Sequence, residues 1–141
     1  MEITTKGRYA VRIMADIARN GDEFVSISEI AERQQISIKY LEKIIAMLSK
    51  AKLVESMRGA NGGYKLAKAQ EKISVKAILD ATGDSIKVST CTVGEVCPNA
   101  DKCDTIGVWN TLNGLINNYL ESVTLKDLVE QTCERKISKP Q

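Results

Sequence analysis

Two serines, Ser26 and Ser37, do most to limit what this chain can fold into. Ser26 opens Ser26-Ile-Ser-Glu29, the pattern of a capping box. Its hydroxyl takes an exposed amide of the first helical turn, and Glu29 reaches back to the cap. The helix it opens is expected over about 27–35, with Ile27, Ile30 and Ala31 inward. After Ile36, Ser37 supplies a second cap. It opens a helix over 37–51 that turns Leu41, Ile44, Ile45 and Leu48 inward at the i, i+3, i+4 spacing. Two short helices joined by a tight turn form the helix-turn-helix plan, although the spacing alone fits two helices of an ordinary bundle equally well. The next stretch shifts the balance. Residues 53–57 are strand-like, Arg58-Gly-Ala-Asn-Gly-Gly63 is a tight turn that needs positive φ, and Tyr64–Leu66 returns as a second strand. A β-hairpin directly after a helix-turn-helix is a wing.

The rest of the chain reads as helices and one unusual loop. Residues 5–20 make a helix through Tyr9, Ala10, Ile13, Met14, Ile17 and Ala18, and Gly21 stops it. Residues 22–25 are a short loop. A further helix spans 74–82 and ends at Gly83. The most helical stretch of the second half is 105–120. Ile106, Val108, Trp109, Leu112, Leu115, Ile116, Tyr119 and Leu120 give it an apolar face too wide for one neighbour, so it is expected to pack against its own copy. Thr124-Leu-Lys-Asp127 is another capping signature, opening a last helix to about Cys133. The polar tail 134–141 is expected to fray.

Between these helices lies Thr90–Cys103, TCTVGEVCPNADKC. Cys91, Cys97 and Cys103 are each separated by five residues, among Gly94, Pro98, Asn99 and Asp101, which mark a loop. Three thiols on one loop can converge on a point, and thiolate is the ligand for soft metals and iron–sulfur centres. Buried apolar cysteines are the plain alternative, but a polar Gly/Pro loop is a poor place to pack them. Metal-free thiol redox sensing is a second alternative. Structural zinc is disfavoured by the lack of paired C-x-x-C knuckles. Cys133 is assigned to packing.

Composition narrows the class. With 43% hydrophobic residues in 141, the chain can build a core without disulfide staples. It shows neither a signal-peptide h-region nor an apolar run of about 18 residues, so a cytoplasmic location without membrane contact is expected. There, cysteine clusters bind metal or do redox chemistry. The net charge of +2 hides an asymmetry: residues 1–68 carry +4 and residues 69–141 carry −2. The outward residues Lys39, Lys43 and Lys50 of the second helix, with Arg58 and Lys65 of the wing, suit a polyanion, though a solvated surface explains most such lysines. Glu42 on that face repels phosphate but can accept from cytosine N4. Leu41 is expected inward and Tyr40 near a phosphate. Gly59, Gly62 and Gly63 lack the Gly-Lys-Ser/Thr ending of a nucleotide loop. A thiol oxidoreductase or metal-handling protein is the competing class; the chain has no histidine base and no C-x-x-C at a helix start, so it is not expected to be an enzyme.

Four motifs occur in order: Lys6-Gly-Arg-Tyr-Ala10, Ile36-Ser-Ile-Lys-Tyr-Leu-Glu42, Arg58-Gly-Ala-Asn-Gly-Gly-Tyr64, and three cysteines before a Trp-bearing helix. In these the chain resembles the Rrf-two family of winged-helix regulators over about residues 1–132, nearest its iron–sulfur cluster regulator (IscR) branch. The resemblance implies a homodimer on a palindromic operator in double-stranded DNA. It also implies an iron–sulfur cluster, 2Fe–2S favoured and 4Fe–4S an option, on Cys91, Cys97 and Cys103. A glutamate at the place of Glu42 discriminates between sites in that family. The branch takes a histidine ligand three residues after the last cysteine, where this chain has Ile106. A nitric-oxide-sensing branch uses an aspartate of the partner's first helix, where this chain has Arg8. The fourth ligand is therefore open among Glu95, Asp101, Asp104, Glu42, Cys133, a small thiol or water.

The expected architecture is mainly α with a small β wing: a winged helix-turn-helix plus a long C-terminal dimerisation helix. Residues 1–83 form the DNA-binding region, 84–103 the cysteine loop, 104–133 the dimerisation helices and 134–141 a flexible tail. The expected DNA contacts are Ser37, Lys39, Tyr40, Glu42, Lys43, Arg58, Asn61 and Gly62. The expected function is transcriptional repression governed by cluster status or by oxidative or nitrosative stress.

Overall fold

The computed structural model describes residues 2–84, 86–88 and 102–131. Helix α1, Thr5–Arg19, begins where the Thr4 hydroxyl accepts from the Gly7 amide at 3.0 Å. Its inner face, Ala10, Ile13, Met14 and Ile17, has no solvent exposure. Helix α2, Ile27–Gln34, starts at the expected capping box, with both the Ser26 and the Glu29 bonds made. Gln35 then takes a left-handed conformation (φ 55°), and Ser37 caps helix α3, Ile38–Lys50, by accepting from the Tyr40 amide. Each cap stabilises its helix by about 1 kcal/mol, and together they set where the turn between α2 and α3 falls.

The wing is an antiparallel pair, β1 Val54–Met57 and β2 Gly63–Leu66, in the register Val54 with Leu66 and Met57 with Gly63. Val25 adds a single bridge to Tyr64, exchanging two bonds of 2.8 Å. The segment expected as a plain loop at 22–25 is thus the stub of a third strand. Gly63 makes this possible. Its φ is 150°, and a Cβ there would collide with the Val25 carbonyl. Gly59 also has positive φ, whereas Gly62 is needed for room beside the Met57 carbonyl.

A 3-10 turn at Gln70–Lys72 leads to helix α4, Val75–Ala81, capped by Ser74. Helix α5 is Ile106–Ser122 and helix α6 is Leu125–Glu130, the latter opened by the Thr124–Asp127 capping box. α6 stops before Cys133, because Gln131 turns left-handed (φ 57°). Ser74 and Thr124 form an antiparallel bridge through the Val75 and Leu125 amides. Leu125 is fully buried in the core, where α6 packs on α1 and on the 3-10 turn. That burial, roughly 1.5–3 kcal/mol, holds a six-residue helix too short to persist alone.

The architecture is therefore mainly helical with a small wing, as expected. Ile27 is half-buried at the edge of the core instead of inside it. α5 differs from every other long helix in having no buried residue. Val108, Trp109, Leu112 and Leu115 stand exposed along it, and its inner edge is tied by Asn113, which accepts from the Val88 amide. Among the described residues no helix is long and apolar enough to cross a membrane.

Candidate nucleic-acid interface and cysteine site

The position of α2 on α1 depends on a carboxylate that the sequence did not single out. Asp16 is 3% exposed. It accepts from Arg33 Nε at 3.0 Å, Arg33 Nη2 at 2.6 Å and Gln34 Nε2 at 2.7 Å. Burial alone pushes the Asp16 carboxyl up; the Arg33 and Gln34 hydrogen bonds, with the charges of Arg33 and Arg19, outweigh it and hold the carboxyl below its ordinary value. Arg12 adds a bond of 2.6 Å to the Gln34 carbonyl. The end of α2, one turn before α3, is thus fastened to α1. The only sequence signal was an acidic residue inside the apolar run Met14–Ala18.

α3 turns Leu41, Ile44, Ile45 and Leu48 into the core, as expected. Its outward face carries Lys39, Glu42, Lys43 and Lys50, all exposed. Glu42 and Lys43 lie three and four residues after Lys39, and Lys50 two turns after Lys43, so they share one side of the helix. The exposed Ser37 is occupied as the helix cap. Tyr40 is half-buried, its ring edge-on to Tyr9 at 5.9 Å, while Arg12 lies over Tyr9 at 5.2 Å. A phosphate contact at Tyr40 has to come from its phenol hydroxyl.

At the wing tip Arg58 and Asn61 are exposed and Gly62 is half-buried. Lys65 is not an open cation. Its Nζ lies 3.5 Å from Glu55, its cross-strand neighbour, and 4.9 Å from the Phe24 ring centre.

Of the cysteines, Cys91, Cys97 and Cys133 lie outside the described residues, as do Glu95 and Asp101. Cys103 is placed at the start of α5, partly exposed, with its Sγ 3.3 Å from the Thr105 hydroxyl. Thr105 is the cap residue of α5 but makes no side-chain cap bond. Its hydroxyl, then its own amide and that of Ile106, hold the Cys103 thiol below the ordinary thiol pKa. This donor set favours the thiolate, the form that ligates iron or zinc and attacks disulfides. Asp104 is exposed, Ile106 partly exposed, and Arg8 is exposed with a bond to Thr5. Among the described residues no three metal-ligating side chains converge.

A second anchor joins the cysteine segment to α1. Asp84 Oδ2 accepts from the Thr4 amide at 2.9 Å and the Thr4 hydroxyl at 2.7 Å. Gly7 leaves room for that carboxylate, since a Cβ there would collide with it. This gives a physical reason for the glycine in Lys6-Gly-Arg-Tyr-Ala10.

Residues 3–131 match the family model Rrf2, described as an iron-dependent transcriptional regulator. The chain is 41% identical over 130 residues to the HTH-type transcriptional regulator IscR of Sodalis glossinidius, covering 92% of this chain and 79% of that protein. Among solved structures it is similar to T. potens IscR, with TM-score 0.74, 36% identity and coverage of 99% and 94%. It is also similar to CymR, the global cysteine regulator of B. subtilis, with TM-score 0.77, 30% identity and coverage of 94% and 98%.

Proposed function

The chain belongs to the Rrf2 family of transcriptional regulators, and from that premise we propose that it is a cytoplasmic, homodimeric repressor whose DNA binding follows the state of an iron–sulfur cluster on Cys91, Cys97 and Cys103. The observation that carries this reading is the Cys103 Sγ, 3.3 Å from the Thr105 hydroxyl just before a helix whose apolar side is uncovered. A bound cluster would supply a redox- and oxidant-sensitive centre there, with Cys103 as one ligand. The residues of the α3 stripe and the wing, Ser37, Lys39, Tyr40, Glu42, Lys43, Arg58, Asn61 and Gly62, would meet a palindromic operator. Two copies joined through α5 would set the reader helices about one turn of DNA, or a multiple, apart. In this reading 1–83 reads DNA, 84–103 senses and 104–133 joins the copies, while the tail 134–141 lies outside the described residues.

Anaerobically purified protein should be coloured and contain iron and sulfide. Cys91→Ala, Cys97→Ala and Cys103→Ala should each bleach it, and Cys133→Ala should not. Full iron and sulfide in a loop mutant removes that cysteine from the ligand set. The same Thr105 contact, which favours the Cys103 thiolate, suits a second reading, in which the cysteines sense oxidants or thiols directly, without metal. Colourless anaerobic protein whose DNA binding changes on thiol oxidation would select it.

A further inference from the structure

Seven large apolar side chains are exposed among the described residues. Val108, Trp109, Leu112 and Leu115 belong to α5, and Ile3 lines the groove beside it. That leaves two, Ile38 and Met57, and both lie on the reader helix and wing. Ile38 is 47% exposed at the first position of α3. Nothing local favours isoleucine there. A β-branched side chain is a weaker helix former than its unbranched neighbours, the position gains little packing, and the cap bond comes from Ser37. A lone exposed apolar residue needs no explanation in general. This one stands one helical turn before Glu42 and beside Lys39, on the turn that a helix-turn-helix sends to base edges.

We propose that Ile38 is a specificity-determining residue that covers the C5-methyl group of a thymine in the major groove. The inference rests on the DNA-reading function proposed above and deepens it. An apolar side chain at this place has one complementary target on base edges, the thymine methyl, because all other major-groove features are polar donors or acceptors. Ile38 and Glu42 are four residues apart, about 6 Å along the helix axis, or roughly two base-pair steps. The thymine therefore lies within about two base pairs of the position that Glu42 faces.

The test starts by selecting preferred duplexes from a random pool with the intact protein. Each thymine of the selected site is then replaced singly by deoxyuridine, which removes the methyl and keeps the pairing. Wild type should lose about fourfold in affinity at one symmetry-related thymine, the worth of one buried methyl. Ile38→Ala should bind the thymine and uracil duplexes equally, and Ile38→Val should keep most of the difference. The deoxyuridine scan on wild type needs no variant to fold. A pool that yields no preferred sequence overturns the DNA-reading premise itself. A preferred sequence that tolerates uracil everywhere, or an Ile38→Ala protein that keeps the full uracil penalty, overturns the role of Ile38 alone.

Discussion

Replacing Asp16 by Asn should destabilise the protein by about 2–3 kcal/mol at pH 7. The carboxylate accepts three bonds, two of them from the Arg33 guanidinium. A hydrogen bond to a charged group contributes roughly 1.5–3 kcal/mol. An amide keeps one acceptor but turns an NH2 toward a donor, so the two Arg33 bonds are not both retained. The loss stays below the roughly 3–5 kcal/mol of a fully buried broken pair, because the Arg33 side chain is 44% exposed and water can take it over.

The pH dependence provides an independent check. The folded-state pKa of Asp16 lies below the ordinary value. Its stabilisation is then fully present above the unfolded value of about 3.9. It is lost as the pH falls through the lower folded value. Urea unfolding of wild type and Asp16→Asn, at one protein concentration, should show a gap that is constant from pH 7 to 5 and closes below about pH 4. A gap under about 0.5 kcal/mol at pH 7, no more than an ordinary surface substitution, or one that persists undiminished at pH 3, would refute the assignment of the Asp16 charge as the fastening of α2.

Leu112→Asp, on the uncovered side of α5, should convert a micromolar dimer to monomers in sedimentation and abolish specific DNA binding; a wild-type monomer removes the basis for this. Lys50→Ala should lower the slope of log affinity against log salt by about 1, whereas Lys65→Ala, whose charge is shared with Glu55, should lower it by clearly less; equal slopes would mean that the Glu55 pair opens on DNA. Thr105→Val should raise the thiol pKa of Cys103, read from the pH dependence of its alkylation in a chain lacking the other three cysteines. An unmoved midpoint would show that the hydroxyl does not set it.

The parts of the fold that were legible in the sequence are those fixed by local chemistry. Ser26, Ser37 and Thr124 bond amides three residues away, so their spacing is visible without knowing the fold. Gly59 and Gly63 announced the wing turn for the same reason. What was not legible depends on long-range partners. The Val25–Tyr64 bridge, the Asp16–Arg33 fastening and the Asp84–Thr4 anchor each join residues distant in sequence. Lys65 looked like a free cation because the cross-strand register that brings Glu55 beside it is not written in either strand alone. The outward stripe of α3 was readable because its complement, Leu41, Ile44, Ile45 and Leu48, is plainly apolar.

α1 links the two ends of this molecule, and its burial limits how they can communicate. Its first turn is anchored to Asp84, where the chain leaves toward the cysteines. Its middle carries Tyr9 against Tyr40 of α3, and Arg12 and Asp16 hold α2. Ile13, Met14 and Ile17 are fully buried between these helices. Sliding α1 against α2 and α3 would uncover side chains worth roughly 1.5–3 kcal/mol each. An allosteric coupling of typical size, about 1–3 kcal/mol, cannot supply that for several residues at once. A signal at the cysteines that changes DNA choice therefore has to leave the reader unit of α1, α2 and α3 intact. The element with most freedom to respond is α5, which has no fully buried residue and is joined to the rest by its packing on α4, by Asn113 and Asn117, and by the bond from Ser74 to Glu121. In the proposed dimer joined through α5, movement there would alter the spacing between two rigid reading heads, not the shape of either. Glu42 and Ile38 would then be pressed into or withdrawn from the groove together, as one unit.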